Sequence, residues 1–220
     1  MLRSKADKRA RLLLAKERLA ERYPSAECAL EYGGDPWRLL VMARLSAQCT
    51  DARVNIVSRE LFEKYPNAEA LAAANVSEVE DIVRPCGLYR MKAESIVSAS
   101  RAVVERFSGR VPDTMDELLS LSGVGRKIAN LVLGDVYGKP AMVCDTHCIR
   151  ILGRLGIYKE SLKDAEKIEF IIRDLIDVSD GSELCHRIVT FGRDICTARS
   201  PRCSECPMKS DCEHVRSALK

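Results

Sequence analysis

The sequence has no long uninterrupted hydrophobic run. Its opening segment, MLRSKADKRARLLLAKERLAERYP, has charged residues scattered among the apolar ones. A signal peptide needs a continuous apolar core, and a membrane-spanning helix needs about 20 predominantly apolar residues. Neither is predicted, so we expect a soluble intracellular protein.

A large excess of one charge is also missing. The 220 residues include 35 basic and 32 acidic ones, for a net charge of +3. This excludes a histone-like protein that binds polyanions through bulk charge. A local basic run contains Arg187, Arg193, Arg199 and Arg202, but such a run is by itself typical of a solvated surface. Any nucleic-acid binding must therefore come from local sites.

Sustained two-residue alternation, fixed-period repeats and low-complexity tracts are absent as well. Apolar residues instead recur at helical spacing, with glycine and proline mostly at segment ends. Ser77 with Glu80, and Thr114 with Glu117, predict capping boxes. The sequence therefore predicts an all-α fold, long enough for one large domain or two modest ones. The predicted helices cover residues 4–23, 36–48, 51–65, 78–86, 92–107, 115–121, 126–137, 147–155, 164–176 and 183–195.

The ten cysteines fall into two groups. In a reducing compartment, cysteines are thiols or metal ligands more often than disulfides. Four of them form a C-x6-C-x2-C-x5-C pattern near the end of the chain: Cys196, Cys203, Cys206 and Cys212. Four thiolates at this spacing fit either a four-iron cluster or a structural zinc ion. The other six are predicted to be small buried apolar residues: Cys28, Cys49, Cys86, Cys144, Cys148 and Cys185.

The segment Leu121–Lys127, LSGVGRK, predicts a short hairpin between two helices. Gly123 and Gly125 permit backbone angles and a close approach that a Cβ atom would block. The free N–H groups of the following helix suit a phosphate, so the hairpin could grip a nucleic-acid backbone without reading its sequence. An ordinary glycine turn between packed helices is the alternative.

Lys127 lies in the first turn of that helix. Positive charge is disfavoured at a helix N-terminus and beside Arg126, and a neutral lysine is a nucleophile. It could attack C1′ of a sugar to form a Schiff base, after which β-elimination would release the 3′ phosphate. The alternative is that Lys127 binds phosphate as a simple cation.

Asp145 comes immediately before another predicted helix. Its carboxylate could stabilise the positive charge of an oxocarbenium-like sugar during glycosidic bond cleavage. The alternative is that it serves only as an N-cap.

Taken together, these motifs resemble the endonuclease III family of helix-hairpin-helix DNA glycosylases. The resemblance spans nearly the whole chain. The matching residues are Leu45–Gln48 with Thr50–Asp51, Gly87–Tyr89 with Lys92–Ala93, Leu121–Lys127 with Ala129–Asn130, Asp145–His147, Gly192–Arg193 and the four clustered cysteines.

The resemblance implies two helical domains with DNA in a cleft between them. One domain would be residues 29–139, with the helix-hairpin-helix motif, and the other residues 1–28 plus 140–220. It also implies a [4Fe-4S] cluster, in preference to zinc, held in a loop over residues 196–212. The ligands that it implies are Cys196, Cys203, Cys206 and Cys212.

The implied activity is base-excision repair by a bifunctional DNA N-glycosylase and AP lyase. The expected substrate is double-stranded DNA with a damaged base, chiefly an oxidised pyrimidine, or an abasic site. Lys127 matches the Schiff-base lysine and Asp145 the catalytic aspartate. Gln48 and Leu88 match residues that fill the gap left by the flipped nucleotide. The hairpin residues expected to contact DNA are Gly123, Val124, Gly125 and Arg126.

The resemblance further implies a monomer with no membrane partner. Its expected location is the cytoplasm or nucleoid of a bacterium, or the nucleus or an organelle of a eukaryote.

One position departs from the family pattern, because Ser122 stands where proline is usual. A less rigid hairpin is expected there. Two alternative functions are a mismatch glycosylase and a DNA-binding or redox protein without chemistry. Lys127 disfavours the first, since mismatch enzymes carry another residue at that position. The presence of both Lys127 and Asp145 disfavours the second.

Overall fold

A computed structural model describes residues 4–218 of the chain. This part is built from α-helices and short 3-10 turns and contains no β-strand, so the all-α prediction is confirmed. None of the described helices combines the length and apolar character that a bilayer-spanning segment requires. The helices are α1 Lys5–Arg22, α2 Pro36–Leu45, α3 Asp51–Lys64, α4 Ala68–Ala72, α5 Val76–Val83, α6 Tyr89–Phe107, α7 Met115–Leu119, α8 Arg126–Asp135, α9 Thr146–Leu155, α10 Ala165–Leu175, α11 Gly181–Asp194 and α12 Glu213–Ala218.

The chain divides into two compact units, and the first is the continuous segment Cys28–Gly138. Helix α6 is central to it and packs against α2, α4 and α5, while α8 packs against α2 and α7. The only tryptophan of the chain, Trp37, is buried here and donates its ring N–H to Ser100 Oγ at 2.9 Å. Apolar residues that face this core include Leu39, Leu40, Val54, Leu61, Leu71, Val79, Ile96, Val97, Leu118 and Val132.

The second unit combines the residues before Cys28 with those after Gly138. Helix α1 packs against α10 and α11, and α9 packs against α11 and α12. Ser4 caps α1 in a complete capping box with Asp7. Its core includes Leu12, Leu19, Ile151, Leu152, Ile168, Ile172, Leu184, Ile188 and Phe191.

The local predictions differ from the structure at some helix ends. Asn75, not Ser77, caps α5, because its side chain accepts a hydrogen bond from the Ser77 N–H at 3.0 Å. The Thr114 cap is confirmed: its hydroxyl accepts from the Glu117 N–H and donates to the Glu117 carboxylate. Helix α4 was not predicted, since five residues are too few to display a helical period.

Candidate functional site

The glycine hairpin joins α7 to α8 through residues 120–125. Gly123 has φ +73°, a left-handed conformation that favours glycine. A Cβ atom at Gly123 would collide with Arg44 Nε and lie 2.8 Å from Arg44 Cδ. Val124 is buried, and its N–H donates to Leu121 O at 3.2 Å, so the turn itself uses that donor.

Arg44 and Ser95 pack against the hairpin at Gly123. Neither residue was identified from the sequence. Arg44 Nε donates to Ser95 Oγ at 2.8 Å, and this pair joins α2 to α6 beneath Gly123. Burial lowers the pKa of Arg44. Ser122 and Val124 line a small gap beside the same two residues. The hairpin therefore rests on a polar, positively charged support.

The start of α8 is open to an anion. Gly125 is its N-cap residue, and no side chain caps the helix. The first N–H groups of a helix have no intrahelical acceptor and attract negative charge. Arg126 is half-buried and Lys127 is exposed. Within residues 4–218, the Lys127 ammonium forms no hydrogen bond or ion pair, which leaves it available to a ligand.

Two further turns of the same unit each contain a non-glycine residue whose backbone is left-handed. We call residues 46–50, between α2 and α3, the Gln48 turn, and residues 84–88, between α5 and α6, the Leu88 turn. Gln48 has φ 54° and Leu88 has φ 49°, although neither is glycine. Both side chains are exposed, and Leu88 is 48% exposed despite being apolar. A left-handed conformation costs about 1 kcal/mol for such residues, so the surrounding fold must impose it.

Lys92 supports the Leu88 turn from inside the unit. It is fully buried on α6, and its Nζ donates to Cys86 O at 2.8 Å. Burial lowers the pKa of Lys92. Because α6 carries both Lys92 and Ser95, and α2 carries Arg44 and leads into the Gln48 turn, the same two helices support the hairpin and both turns.

Asp145 is the N-cap of α9 and has a second contact as well. Its Oδ1 accepts from the N–H groups of His147 and Cys148 at 2.9 and 2.8 Å. Its Oδ2 lies 3.0 Å from His147 Nδ1. The carboxylate is thus held in one orientation in the second unit, with 14% of its side chain exposed. Asp145 is therefore the N-cap of α9, and these contacts fix its carboxylate in place.

Helix α9 holds the cysteine loop through two arginines that were not identified from the sequence, one at its middle and one near its end. Arg150 donates to Cys196 O, with Nε at 3.1 Å and Nη2 at 3.0 Å. Arg154, only 7% exposed, donates to Thr197 O at 2.7 Å and Ala198 O at 2.8 Å. Buried guanidinium groups rarely occur without such acceptors. Their signal in the sequence was weak, because an arginine on an amphipathic helix is usually exposed.

The four clustered cysteines fit a polynuclear iron site better than a single ion. The charges of the other three thiols raise the pKa of Cys206, after the larger effect of burial, so the four lie near one another. Among the described residues, however, no three of these Sγ atoms lie within 4.8 Å of each other. Four thiolates around one zinc at about 2.3 Å would be about 3.8 Å apart. The wider spacing suits a cluster in which each thiolate binds its own iron.

The prediction for the remaining six cysteines is partly wrong. Cys86, Cys144, Cys148 and Cys185 are buried, but Cys28 and Cys49 are only half-buried.

Two arginines of the basic run form ion pairs within the second unit. Arg187 pairs with Glu183 at 2.9 Å, and Arg202 pairs with Asp194 and with Glu205.

The chain matches two family descriptions. Residues 41–177 match the HhH-GPD superfamily base excision DNA repair protein. Residues 196–212 match the iron-sulfur binding domain of endonuclease III. The second match begins and ends on the outer cysteines of the cluster motif.

Individual relatives agree with these matches. The chain is 42% identical over 198 residues to endonuclease III of Bacillus subtilis, covering 89% of each chain. A non-covalent endonuclease III–DNA complex shares 36% identity with a TM-score of 0.90, covering 96% of this chain and 98% of the other. A trapped endonuclease III–DNA covalent intermediate gives the same identity and TM-score, covering 96% and 99%.

Proposed function

Because the chain belongs to the endonuclease III family of HhH-GPD base excision DNA repair proteins, we propose that it is a bifunctional DNA glycosylase and AP lyase. It removes damaged bases, chiefly oxidised pyrimidines, and then cleaves the strand 3′ to the abasic site. The family predicted from the sequence motifs is confirmed, and with it DNA as the partner and the [4Fe-4S] cluster as cofactor.

We assign the nucleophile to Lys127. The supporting observation is its exposed, unpaired ammonium at an uncapped helix start, directly after the glycine hairpin. After losing a proton, its amine attacks C1′, the glycosidic bond breaks, and the base departs. The departing base takes up a proton, and the C1′–O4′ bond then opens, with protonation of O4′, to leave a C1′=Nζ imine. The imine makes the C2′ proton acidic, and loss of that proton eliminates the 3′ phosphate. A hairpin that holds the neighbouring phosphate would align C1′ with the amine.

Asp145 would stabilise the cationic sugar as the base departs. Transition-state stabilisation of this kind needs a charge that does not reorient during the reaction. The two backbone N–H groups and His147 supply that fixed orientation. Asp145 would thus act through its charge, while Lys127 makes the covalent bond.

The hairpin residues Gly123, Val124, Gly125 and Arg126 would hold the DNA backbone, with the N–H groups at the start of α8 facing a phosphate. Gln48 and Leu88 would fill the gap that a flipped nucleotide leaves. Unstacking costs a few kcal/mol, and an exposed leucine can replace part of the lost stacking. The αL conformations at both positions support this role, because the fold already directs their side chains outward.

We assign Cys196, Cys203, Cys206 and Cys212 as the ligands of the cluster. When bound, the cluster fixes the loop and supplies a local charge beside its basic residues. Arg150 and Arg154 hold the backbone of the same loop from α9.

The substrate is double-stranded DNA that contains a damaged base or an abasic site, and the protein would act on it as a monomer. Such a substrate places the activity with the cell's DNA, which in a bacterium is the nucleoid.

The test is borohydride trapping on duplex DNA with an abasic site. The native protein should give a covalent adduct, because borohydride reduces an imine to a stable amine. Lys127→Ala and Lys127→Arg should both give none. Lys127→Arg is the sharper variant, since it keeps the positive charge and removes the nucleophile.

If Lys127 only bound phosphate, Lys127→Arg would keep strand cleavage and another lysine would give the adduct. That result would refute the assignment of Lys127.

A further inference from the structure

The Leu88 turn is flanked by a group of one aromatic ring and two arginines. The Arg84 Cζ atom lies 4.6 Å from the centroid of the Tyr89 ring, and the Arg90 Cζ atom lies 5.6 Å from it. Arg84 Nη1 also lies 3.4 Å from the Tyr89 hydroxyl. Guanidinium groups at such distances are attracted to the ring. We call Arg84, Tyr89 and Arg90 the arginine–tyrosine stack.

Arg90 is directed toward the Leu88 turn although an acidic partner is at hand. Glu94 is four residues further along α6, at the spacing of an intrahelical ion pair. Within residues 4–218, however, the Arg90 guanidinium forms no hydrogen bond or ion pair. It lies over the Tyr89 ring instead, at the start of the helix, next to Leu88.

Most N–H groups of the two arginines are open to a ligand. A guanidinium has five N–H donors, and both side chains are exposed. Arg84 Nη2 pairs with Asp81 Oδ1 at 2.5 Å. That pair is itself exposed, so it stabilises the protein little and can be exchanged for another anion. All five donors of Arg90 remain available.

The chain around the stack combines positive charge with exposed apolar side chains. Residues 84–93, RPCGLYRMKA, contain three basic residues and no acidic one. Leu88 is 48% exposed and Met91 is 57% exposed. Arg84 and Arg90 lie on either side of Leu88 in the chain. This combination fits a surface that enters a base stack and holds the charged backbone beside it.

We propose that Arg84 and Arg90 bind DNA phosphates beside the gap that Leu88 would fill, and that Tyr89 orients both guanidinium groups. The inference rests on the proposed function, because it places the two arginines next to an inserted leucine. It adds a phosphate-binding site from a different part of the chain than the glycine hairpin.

Phosphates are the groups that the neighbours of an inserted side chain meet. The bases form the interior of a duplex, and a phosphate follows about every 3.4 Å along each strand. A residue that enters the stack therefore brings its chain neighbours against the sugar–phosphate edges. Arg84 is four residues before Leu88, and Arg90 is two residues after it. Phosphate contacts carry no sequence information, so the site would serve any damaged base.

Tyr89 prepares the two guanidinium groups for this contact. A free arginine side chain has many rotamers, and fixing one of them on binding costs conformational entropy. The Tyr89 ring is half-buried and holds both side chains before DNA arrives. The N–H groups at the edge of each guanidinium stay free for phosphate oxygens.

The first experiment measures binding of the cluster-loaded protein to a duplex with a tetrahydrofuran abasic-site analogue, which cannot form an imine. Fluorescence anisotropy gives the association constant between about 50 and 200 mM salt. Each phosphate contact contributes about −0.9 to the slope of its logarithm against the logarithm of salt concentration. Arg84→Gln and Arg90→Gln should each make the slope less negative by about 1, and the double variant by about 2.

Arg101→Gln is the matched control. Arg101 is exposed on the same helix, and its guanidinium donates to Ala72 O at 3.2 Å. The variant removes the same charge and should keep the native slope. Native slopes for Arg84→Gln and Arg90→Gln, or an equal change in all three variants, would overturn the inference. A native protein that does not bind the duplex would refute the proposed function and the inference with it.

The second experiment locates the phosphates. Methylphosphonate linkages, which lack the negative charge, replace the phosphates around the analogue one at a time on each strand. Native protein should lose affinity where a contacted phosphate is replaced, and Arg90→Gln should show no further loss at its own phosphate. Equal losses for the native protein and both variants at every linkage would show that neither arginine binds beside the gap.

A third comparison tests the orienting role of the ring. Tyr89→Leu keeps both charges and removes the ring, so the salt slope should stay native while affinity falls several-fold at every salt concentration. Tyr89→Phe keeps the ring and should bind as the native protein does. Trp37 fluorescence checks that both variants are folded. Native affinity for Tyr89→Leu would overturn the role given to Tyr89.

Discussion

Gly123 shows how a single residue depends on a neighbour that is distant in sequence. Its left-handed φ and its contact with Arg44 both exclude a side chain. Gly125, two residues later, has φ −100° and open space around a Cβ atom. The two glycines of one motif therefore have different structural requirements.

We expect Gly123→Ala to lower the free energy of unfolding by about 1–2 kcal/mol, because alanine is strained at positive φ and would displace Arg44. Gly125→Ala is the matched control and should change stability by less than about 0.5 kcal/mol. Urea denaturation of both variants, followed by Trp37 fluorescence, measures the difference. Equal losses in the two variants would contradict this account of Gly123.

Local sequence patterns mark the residues to which we assign chemistry but not the arginines that hold their surroundings. Lys127 and Asp145 stand at helix starts, and local patterns of capping residues and glycine mark such positions. The supporting arginines contact residues that are distant in the chain. Arg44 contacts Gly123, 79 residues later, and Arg150 donates to Gly192 O, 42 residues later. Arg154 likewise donates to the cysteine loop. No local pattern distinguishes them from exposed arginines, because their role exists only after the helices pack.

At the scale of one element, helix α9 joins two parts of the second unit. Asp145 caps its start, and Arg150 at its middle and Arg154 near its end hold the cysteine loop. Gly192 on α11 lets α9 approach closely, since a Cβ atom there would lie 2.6 Å from His147 Cδ2. One short helix thus fixes both a carboxylate and the loop of the cluster.

Asp145→Asn should separate the two roles of this residue. Asparagine caps a helix about as well as aspartate, so the free energy of unfolding should change by less than about 1 kcal/mol. The negative charge is lost, and single-turnover base release should fall by about 100-fold or more. Asp145→Ala should lose the cap as well. Undiminished base release by Asp145→Asn would show that Asp145 is only a cap.

Arg154→Met should weaken the cluster loop while all four cysteines are kept, and it also removes the Arg154 Nη1 donor that lies 3.4 Å from Cys196 Sγ. The variant leaves Thr197 O and Ala198 O without their buried donor. We expect it to lose iron to a chelator several-fold faster than the native protein. Arg199→Met, at an exposed position of the same loop, is the control and should lose iron at the native rate. Equal rates for all three proteins would refute a supporting role for Arg154.

At the scale of the whole molecule, the half-buried thiol of Cys28 and the buried thiol of Cys86 make the free energy of unfolding depend on alkaline pH. Burial raises the pKa of Cys28 to about 12 and contributes most to raising that of Cys86 to about 11. The thiol of an unfolded chain has a pKa of about 8.5. The unfolded chain therefore loses these protons first, and the stability that they contribute below about pH 8.5 is lost as pH rises through the folded values.

The urea concentration at the unfolding midpoint, followed by Trp37 fluorescence, should accordingly decrease as the pH is raised from about 8.5 to 11. Lys92 acts in the opposite direction, because burial lowers its pKa and the native state loses that proton first. Comparing native protein with Cys28→Ala cancels the Lys92 contribution. The variant should show the smaller decline, and parallel curves for the two proteins would rule out Cys28 as a cause.

The discontinuous second unit has a consequence for the order of events during synthesis. The segment 28–138 is continuous and can fold as soon as it leaves the ribosome, whereas α1 must wait for α10 and α11, its packing partners. At about 5–20 residues per second, that delay is on the order of ten seconds. During it, Leu12 and Leu19 have no core to enter, so α1 is the part of the nascent chain that we expect chaperones to bind. The cysteines at 196–212 are synthesised after α11, so we expect iron insertion to come late in the assembly of the protein.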